Sequence, residues 1–206
     1  MTTRRLGILL SGRGSNFLAI GDAISQGRIS NAEIAVVISN RRDAAGFEAA
    51  QRQGLPALVI ESTGRPRAEH DAEIIASLRT HQVDLVCLAG YMRLLSPDFV
   101  RAYPQRVLNI HPSLLPAFPG LDAQRQALEY GVGVSGCTVH FVDEELDHGV
   151  IVLQKTVAVL PEDDAHTLAA RILVQEHIAY AEAIERVLSG RYRVIGRRFL
   201  LQAETE

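Results

Sequence analysis

Asn109 and His111 stand two residues apart in the run Arg106-Val107-Leu108-Asn109-Ile110-His111-Pro112. Val107, Leu108 and Ile110 favour extended backbone, so the two polar side chains project from one face, roughly 6.5 to 7 Å apart. Pro112 lacks an amide donor and biases His111 towards the extended region, which ends the strand and leaves both groups at its carboxyl end. A carboxamide N–H can hold a developing oxyanion while an imidazole supplies or moves a proton, a pairing suited to acyl or one-carbon transfer. Ordinary turn chemistry at a strand end is the competing explanation.

Two further stretches could serve such a reaction. Leu6-Gly7-Ile8-Leu9-Leu10, then Ser11-Gly12-Arg13-Gly14-Ser15-Asn16, then a helix-like run from Phe17 is the strand, glycine turn and helix order that cradles anions. Gly12 and Gly14 permit close backbone approach, and Ser15 or Asn16 could cap the helix while facing a phosphate. Phe17 stands where the third glycine of a dinucleotide fingerprint would be, and no Gly-Lys-Ser/Thr follows, so neither that motif nor a Walker A loop is present. The second stretch, Asp143-Glu144-Glu145-Leu146-Asp147-His148-Gly149, is an acidic turn. A solvated hairpin tip explains it simply. Alternatively one carboxylate, with Asp147 the best placed, swings over His111 and raises the proton affinity of the ring.

The positioning elements follow from periodicity. Strands are expected at 6–10, 34–38, 57–60, 85–88 and 107–111, alternating with helices at 17–24, 44–53, 67–81 and a short one from Ser96-Pro97 to Tyr103. Apolar strands alternating with helices imply a doubly wound, mostly parallel, Rossmann-like α/β sheet. A helix is expected over 121–130, ended by Gly131. The runs 134–142 and 150–159 are joined too closely for a crossover helix, so they form an antiparallel hairpin extension. A long C-terminal helix spans 161–189, with Leu168, Ile172, Ala179, Ala183 and Val187 on one stripe, and 191–206 reads as a tail. The expected organisation is a single domain over 1–190, divided into halves at 105/106.

At 206 residues and 47% hydrophobic side chains, one well-buried domain fits and two would be a squeeze. No apolar run approaches the ~18 residues of a membrane span and the N-terminus lacks a signal-peptide core, so the chain reads as soluble and cytoplasmic. The formal charge of −3 gives no basic excess, which speaks against a nucleic-acid partner and leaves room for a small anionic ligand where positive potential is local. Cys87 and Cys137 lie in apolar runs and read as buried thiols, and no histidine-carboxylate set has metal-ligand spacing. The apolar loop Ala89-Gly90-Tyr91-Met92-Arg93-Leu94-Leu95 suits either a flat aromatic ligand or packing against a helix.

Taken in order, Gly12-Arg13-Gly14-Ser15-Asn16, Ala89 to Leu95, Leu108-Asn109-Ile110-His111-Pro112-Ser113-Leu114-Leu115-Pro116 and Leu146-Asp147-His148-Gly149 resemble the phosphoribosylglycinamide formyltransferases, a folate-dependent formyltransferase family of purine biosynthesis. The resemblance runs from Leu6 to about Gly190. It implies catalysis by Asn109, His111 and Asp147. It further implies that Gly14, Ser15 and Asn16 hold the substrate phosphate and that Glu176 helps hold the ribonucleotide. Arg67, Met92, Arg93, Leu94, Leu95 and Asn109 would contact the cosubstrate 10-formyltetrahydrofolate. The reaction so implied is direct attack of the amine of 5-phosphoribosyl-glycinamide through a tetrahedral intermediate, without metal, by a monomer or homodimer with small-molecule partners only.

Leu173, His148 and Asp122 depart from the family pattern, where a polar group, glycine and histidine are expected. Methionyl-tRNA formyltransferase and formyltetrahydrofolate hydrolase are related alternatives, each implying an added domain. A nucleotide-binding module or a nicotinamide oxidoreductase would use the glycine loop without the Asn109, His111 and Asp147 set. Phe17 and the Ser39-Asn40 pair after the second strand, where an acidic residue would end it, speak against both.

Overall fold

Leu6, Ile8, Leu9 and Leu10 in β1 (Arg4–Leu10) are fully buried, so this strand is covered on both faces, as a parallel sheet between helices requires. The computed structural model describes residues 2–202, and the chain divides into two compact units between Asn109 and Ile110. In the first unit β2 (Ala32–Ser39) and β4 (Leu85–Leu88) pair with β1 in parallel on either side. β3 (Ala57–Val59) lies outside β2, and the opening residues of β5 (Val107–His111) lie outside β4. The order β3-β2-β1-β4-β5 is doubly wound, and it reverses between β1 and β4.

The first unit's helices bury the faces expected of them. α1 (Ser15–Ser25) buries Phe17, Ile20 and Ala23. α2 (Ala45–Arg52) ends before Gly54, which takes a left-handed φ of 69°. α3 (Arg67–Thr80) turns Ile74, Ile75 and Leu78 inward. α4 (Pro97–Ala102) opens as its sequence predicts, the Ser96 hydroxyl accepting the Phe99 N–H at 3.3 Å with Pro97 in the first turn.

One expectation is corrected at α1. Neither Ser15 nor Asn16 caps it; both lie inside the helix, and the cap position is Gly14, with φ 77° and no side-chain cap bond. Backbone proximity is the physical reason. The Gly46 N–H of α2 donates to the Gly12 carbonyl at 3.0 Å, and a Cβ on Gly14 would stand 2.6 Å from the Gly46 Cα. The turn is therefore built from backbone against backbone, which leaves no need for a side-chain cap.

The second unit begins within β5 and contains α5 (Ala123–Tyr130), β6 (Val134–Phe141), β7 (Ile151–Ala158) and α6 (Ala165–Leu188). β6 and β7 are antiparallel neighbours, as their short connection predicts. α5 starts two residues later than its pattern suggested, and Gly131 ends it in the left-handed region. α6 starts at Ala165, not at Pro161, because Asp164 and Thr167 form a capping box that fixes the first turn. Its inner face is Leu168, Ile172, Glu176, Ala179, Tyr180, Ala183 and Ile184, while Val187 is only partly covered.

The stretch read as a C-terminal tail contains a second hairpin, β8 (Tyr192–Ile195) with β9 (Arg198–Leu201), turning through Gly196 and Arg197. The rings of Tyr192 and Phe199 stack at 4.6 Å, and each lies about 6 Å from Phe141, the last residue of β6. Apolar burial, rather than strand propensity alone, orders these residues.

Among the described residues, no helix is long and apolar enough to cross a membrane, and no group of three or more His, Cys, Asp or Glu side chains could hold a metal ion. Among the described residues Cys87 and Cys137 form no disulfide, and both are fully buried. Burial, reinforced by the charge of Glu176, pushes the Cys137 thiol up to about 12.

The glycine contact generates a stability prediction. A Cβ at residue 46 would stand 2.8 Å from the Leu10 Cδ2 and 2.9 Å from the Gly14 Cα. Gly46→Ala should therefore lower stability by about 1–3 kcal/mol, the usual cost of overpacking. A thermal or urea melt reads the loss directly, and an unchanged melt would show that the two backbones are not in tight contact.

Candidate active site

The carboxyl ends of β1 and β4 lie side by side where the strand order reverses, the place at which open α/β sheets bind ligands. The loops that follow them are joined by two hydrogen bonds. The Ser11 N–H donates to the Gly90 carbonyl at 3.1 Å, and the Met92 N–H donates to the Ser11 hydroxyl at 2.8 Å. This brings the glycine turn of residues 11–16 beside the apolar loop of residues 89–95. Asn109 stands opposite Leu88 in the β4–β5 register, at the same end of the sheet.

The apolar loop holds hydrophobic groups out to solvent, Met92 at 69% and Leu94 at 47% exposure, while Tyr91 behind them is buried. Three long-range hydrogen bonds fix it. The buried carboxylate of Asp71 accepts the Ser96 N–H at 2.5 Å, and the Arg93 guanidinium donates to the Ser62 and Arg65 carbonyls at 2.9 Å each. Arg67, two residues beyond Arg65, is exposed in the first turn of α3. An open apolar strip held near a free guanidinium suits a flat ring carrying an acidic extension. Arg93 itself is committed to backbone carbonyls, so its side chain supports the loop.

The second unit carries the titratable core. His111 and Asp147 have side chains 6% and 8% exposed, with the His111 Nδ1 3.4 Å from the Asp147 Oδ2. The other ring nitrogen, Nε2, donates to the Phe118 carbonyl at 2.8 Å. A carbonyl and a carboxylate can only accept, so the ring faces acceptors on both sides. Oδ2 of Asp147 also accepts the Gly120 N–H at 2.8 Å, and Oδ1 lies 3.8 Å from the Nε2 of His140.

The loop that supplies Phe118 and Gly120 is pinned in place. The Thr138 hydroxyl donates to the Ser113 carbonyl at 2.7 Å and accepts the Leu115 N–H at 3.0 Å, and Gln154 donates to the Leu115 carbonyl at 2.8 Å. The loop that supplies Asp147 closes at Gly149, where any Cβ would stand 1.8 Å from the Phe141 carbonyl oxygen.

His140 was not among the residues singled out from sequence, nor were Phe118, Gly120, Thr138 or Asp71. His140 is 2% exposed, and its Nδ1 donates to the Phe141 carbonyl at 2.8 Å. Desolvation holds its pKa below the ordinary 6.5, although Phe141 and Asp147 both work the other way. The signal that could have revealed it is period two in β6, where Thr138 and His140 put polar groups on one buried face.

Other singled-out residues occupy distinct settings. Glu176 is 8% exposed on the inner face of α6. Leu173 is half-buried on the same helix. Asp122 pairs with Arg125 on the surface at the start of α5. His148 pairs with Asp143 at 2.8 Å. An apolar cavity of about 410 Å³, lined by Leu114, Ala117, Phe118, Tyr130, Val132, Val134 and Ser135, includes neither His111 nor Asp147.

Comparison with known proteins gives the family. The formyl transferase family model matches residues 4–184. The trifunctional purine biosynthetic protein adenosine-3 of Drosophila pseudoobscura pseudoobscura is 48% identical over 194 residues; the match covers 92% of this chain but only 14% of that much longer protein. The phosphoribosylglycinamide formyltransferase of Escherichia coli (strain K12) is 43% identical over 188 residues, covering 91% of this chain and 88% of the relative. The crystal structure of glycinamide ribonucleotide transformylase 1 from Symbiobacterium toebii superposes with a TM-score of 0.94 at 51% identity, covering 98% of this chain and 95% of that one. With a family model spanning nearly all of its length and relatives matched almost end to end, the chain belongs to the formyl transferase family.

Proposed function

We propose that the chain transfers the formyl group of 10-formyltetrahydrofolate to the amine of 5-phosphoribosyl-glycinamide, a reaction of purine biosynthesis. The observation that carries this reading is the buried contact between Asp147 and His111, at the end of the strand that also presents Asn109. The same reading takes 1–190 as one working domain that acts in the cytoplasm as a monomer or homodimer.

The roles follow from the chemistry. The amine nitrogen attacks the formyl carbon, a C–N bond forms, and the carbonyl oxygen becomes an oxyanion. The Asn109 carboxamide and the His111 Nε2–H take that charge, the oxyanion displacing the Phe118 carbonyl as the partner of this N–H. Asp147 keeps the ring doubly protonated and orders a water that carries the proton from the attacking amine to the departing folate nitrogen. The bond from that nitrogen to the formyl carbon then breaks, and the charge balances without any covalent link to the protein.

Binding is assigned by charge and shape. Backbone N–H groups of Gly14, Ser15 and Asn16 at the start of α1 hold the phosphate, as helix N-termini do, and Glu176 helps hold the ribonucleotide. Met92, Leu94 and Leu95 cover the folate ring, Arg67 meets its acidic tail, and Asn109 contacts the formyl group. Arg93 supports the loop from beneath through the Ser62 and Arg65 carbonyls.

An assay with both substrates, followed by formate release without the ribonucleotide, tests the reaction. Transfer should far outpace release; release at the transfer rate would instead identify a hydrolase. Asn109→Ala should cut kcat/KM about a hundred- to a thousandfold, roughly 2.7–4 kcal/mol of barrier, as loss of one oxyanion donor does. Turnover at the wild-type rate would remove Asn109 from the chemistry.

His140 adds a pH prediction. Its folded pKa lies below the ordinary 6.5, so below that pH the unfolded chain takes up the proton more readily. The stability it secures is complete above about pH 6.5 and is lost as pH falls through the lowered folded value. Melting curves from about pH 7.5 to 5 should therefore slope less steeply for His140→Asn than for the wild type. Equal slopes would mean that His140 does not titrate differently on folding.

A further inference from the structure

Asp147 adopts a left-handed backbone, φ 50°, a region that aspartate enters more readily than most residues but less freely than glycine. A loop that keeps its reactive carboxylate in this state needs restraint from outside. The next residue, His148, receives it. The Arg197 Nη1 lies against the His148 ring, 2.9 Å from Nε2 and 3.3 Å from Nδ1, and Arg197 Nη2 donates to the His148 backbone carbonyl. On the same ring Nδ1 lies 2.8 Å from the Asp143 Oδ2, while Asp143 Oδ1 accepts the Glu145 N–H at 3.0 Å.

This chain of bonds starts from the hairpin β8–β9. Arg197 occupies the turn, directly after Gly196 with φ 58°. The strands behind it are seated by Tyr192 and Phe199 against Phe141, the residue from which the Asp147 loop departs. One end of the loop is therefore held by ring packing and the other by the guanidinium.

We propose that the C-terminal hairpin is a clamp on the loop of residues 143–149, and that Arg197 is a positioning residue acting through His148 to keep Asp147 on His111. The proposal rests on the role given to Asp147 above. Arg197 touches no reacting atom. Its contribution lies in the fraction of time that the carboxylate is in place, so it affects kcat and leaves both KM values alone.

Hydrogen exchange and steady-state kinetics of the full chain test this together. Arg197→Ala should speed amide exchange in 143–149 about tenfold and lower kcat about tenfold, the scale of one charge-assisted hydrogen bond. Both KM values should stay within about twofold, and Arg197→Lys should recover part of kcat by donating to the His148 carbonyl. His148→Ala, which keeps the carbonyl that Arg197 also meets, should reproduce part of the loss, and the double variant should lose little more than Arg197→Ala alone, as expected for two residues on one path. If Arg197→Ala fails to fold, His148→Ala carries the same test.

Unchanged exchange in both variants would overturn the clamp. Faster exchange with undiminished kcat would overturn the positioning role, and full activity of Asp147→Asn in the same assay would then trace the failure to the reading of Asp147. Losses confined to KM would also overturn it.

Discussion

A carboxylate kept out of water must be matched by groups that need its charge, and Asp147 is where this protein meets that demand. Its oxygens face the Gly120 N–H, the His111 ring and, at longer range, the His140 ring. An unmatched buried charge would cost several kcal/mol, so the fold around Asp147 cannot be arbitrary. The loop holding Gly120 is pinned by Thr138 and Gln154, and the loop holding Asp147 leaves β6 at Phe141 and closes at Gly149. His140 lies at longer range from the same carboxylate, and its burial disfavours a charged ring.

The first unit follows a different logic, in which backbone groups do most of the positioning. Ser11, Gly12 and Gly14 place the turn through hydrogen bonds and close contact, without a side-chain cap on the helix. The loop of Met92 to Leu95 leaves its apolar groups exposed because its own anchoring comes from below, through Asp71 and Arg93. Such loops stay open to a ligand without being floppy. Fixed donors and a fixed apolar strip would cost little reorganisation on binding any ligand there.

Much of this was legible in the residues themselves. Strand β4 was read with its observed limits, β5 ends before Pro112 as proline requires, and Ser96-Pro97 opens its helix as serine and proline do. The approach of Asp147 to His111 could be guessed from an acidic turn following closely on the His111 strand. What could not be read was the set of partners far away in sequence. Gly120 is a backbone donor with no compositional mark, and Asp71 looks like any surface acid of a helix until its contact with Ser96 is seen. Arg197 was hidden for the same reason. The short basic run around it reads as a tail, and only the packing of Tyr192 and Phe199 on Phe141 turns it into a hairpin.

The account stands or falls on whether the Asp147 carboxylate drives the chemical step through His111. Rapid-quench single-turnover transfer by Asp147→Asn, with both substrates saturating, measures that step apart from binding and product release. The account predicts a chemical step slowed about a hundredfold or more while both substrates still bind, since the amide keeps the shape but cannot hold the ring in its charged form. A single-turnover rate within about twofold of the wild type, with the variant properly folded, would contradict it.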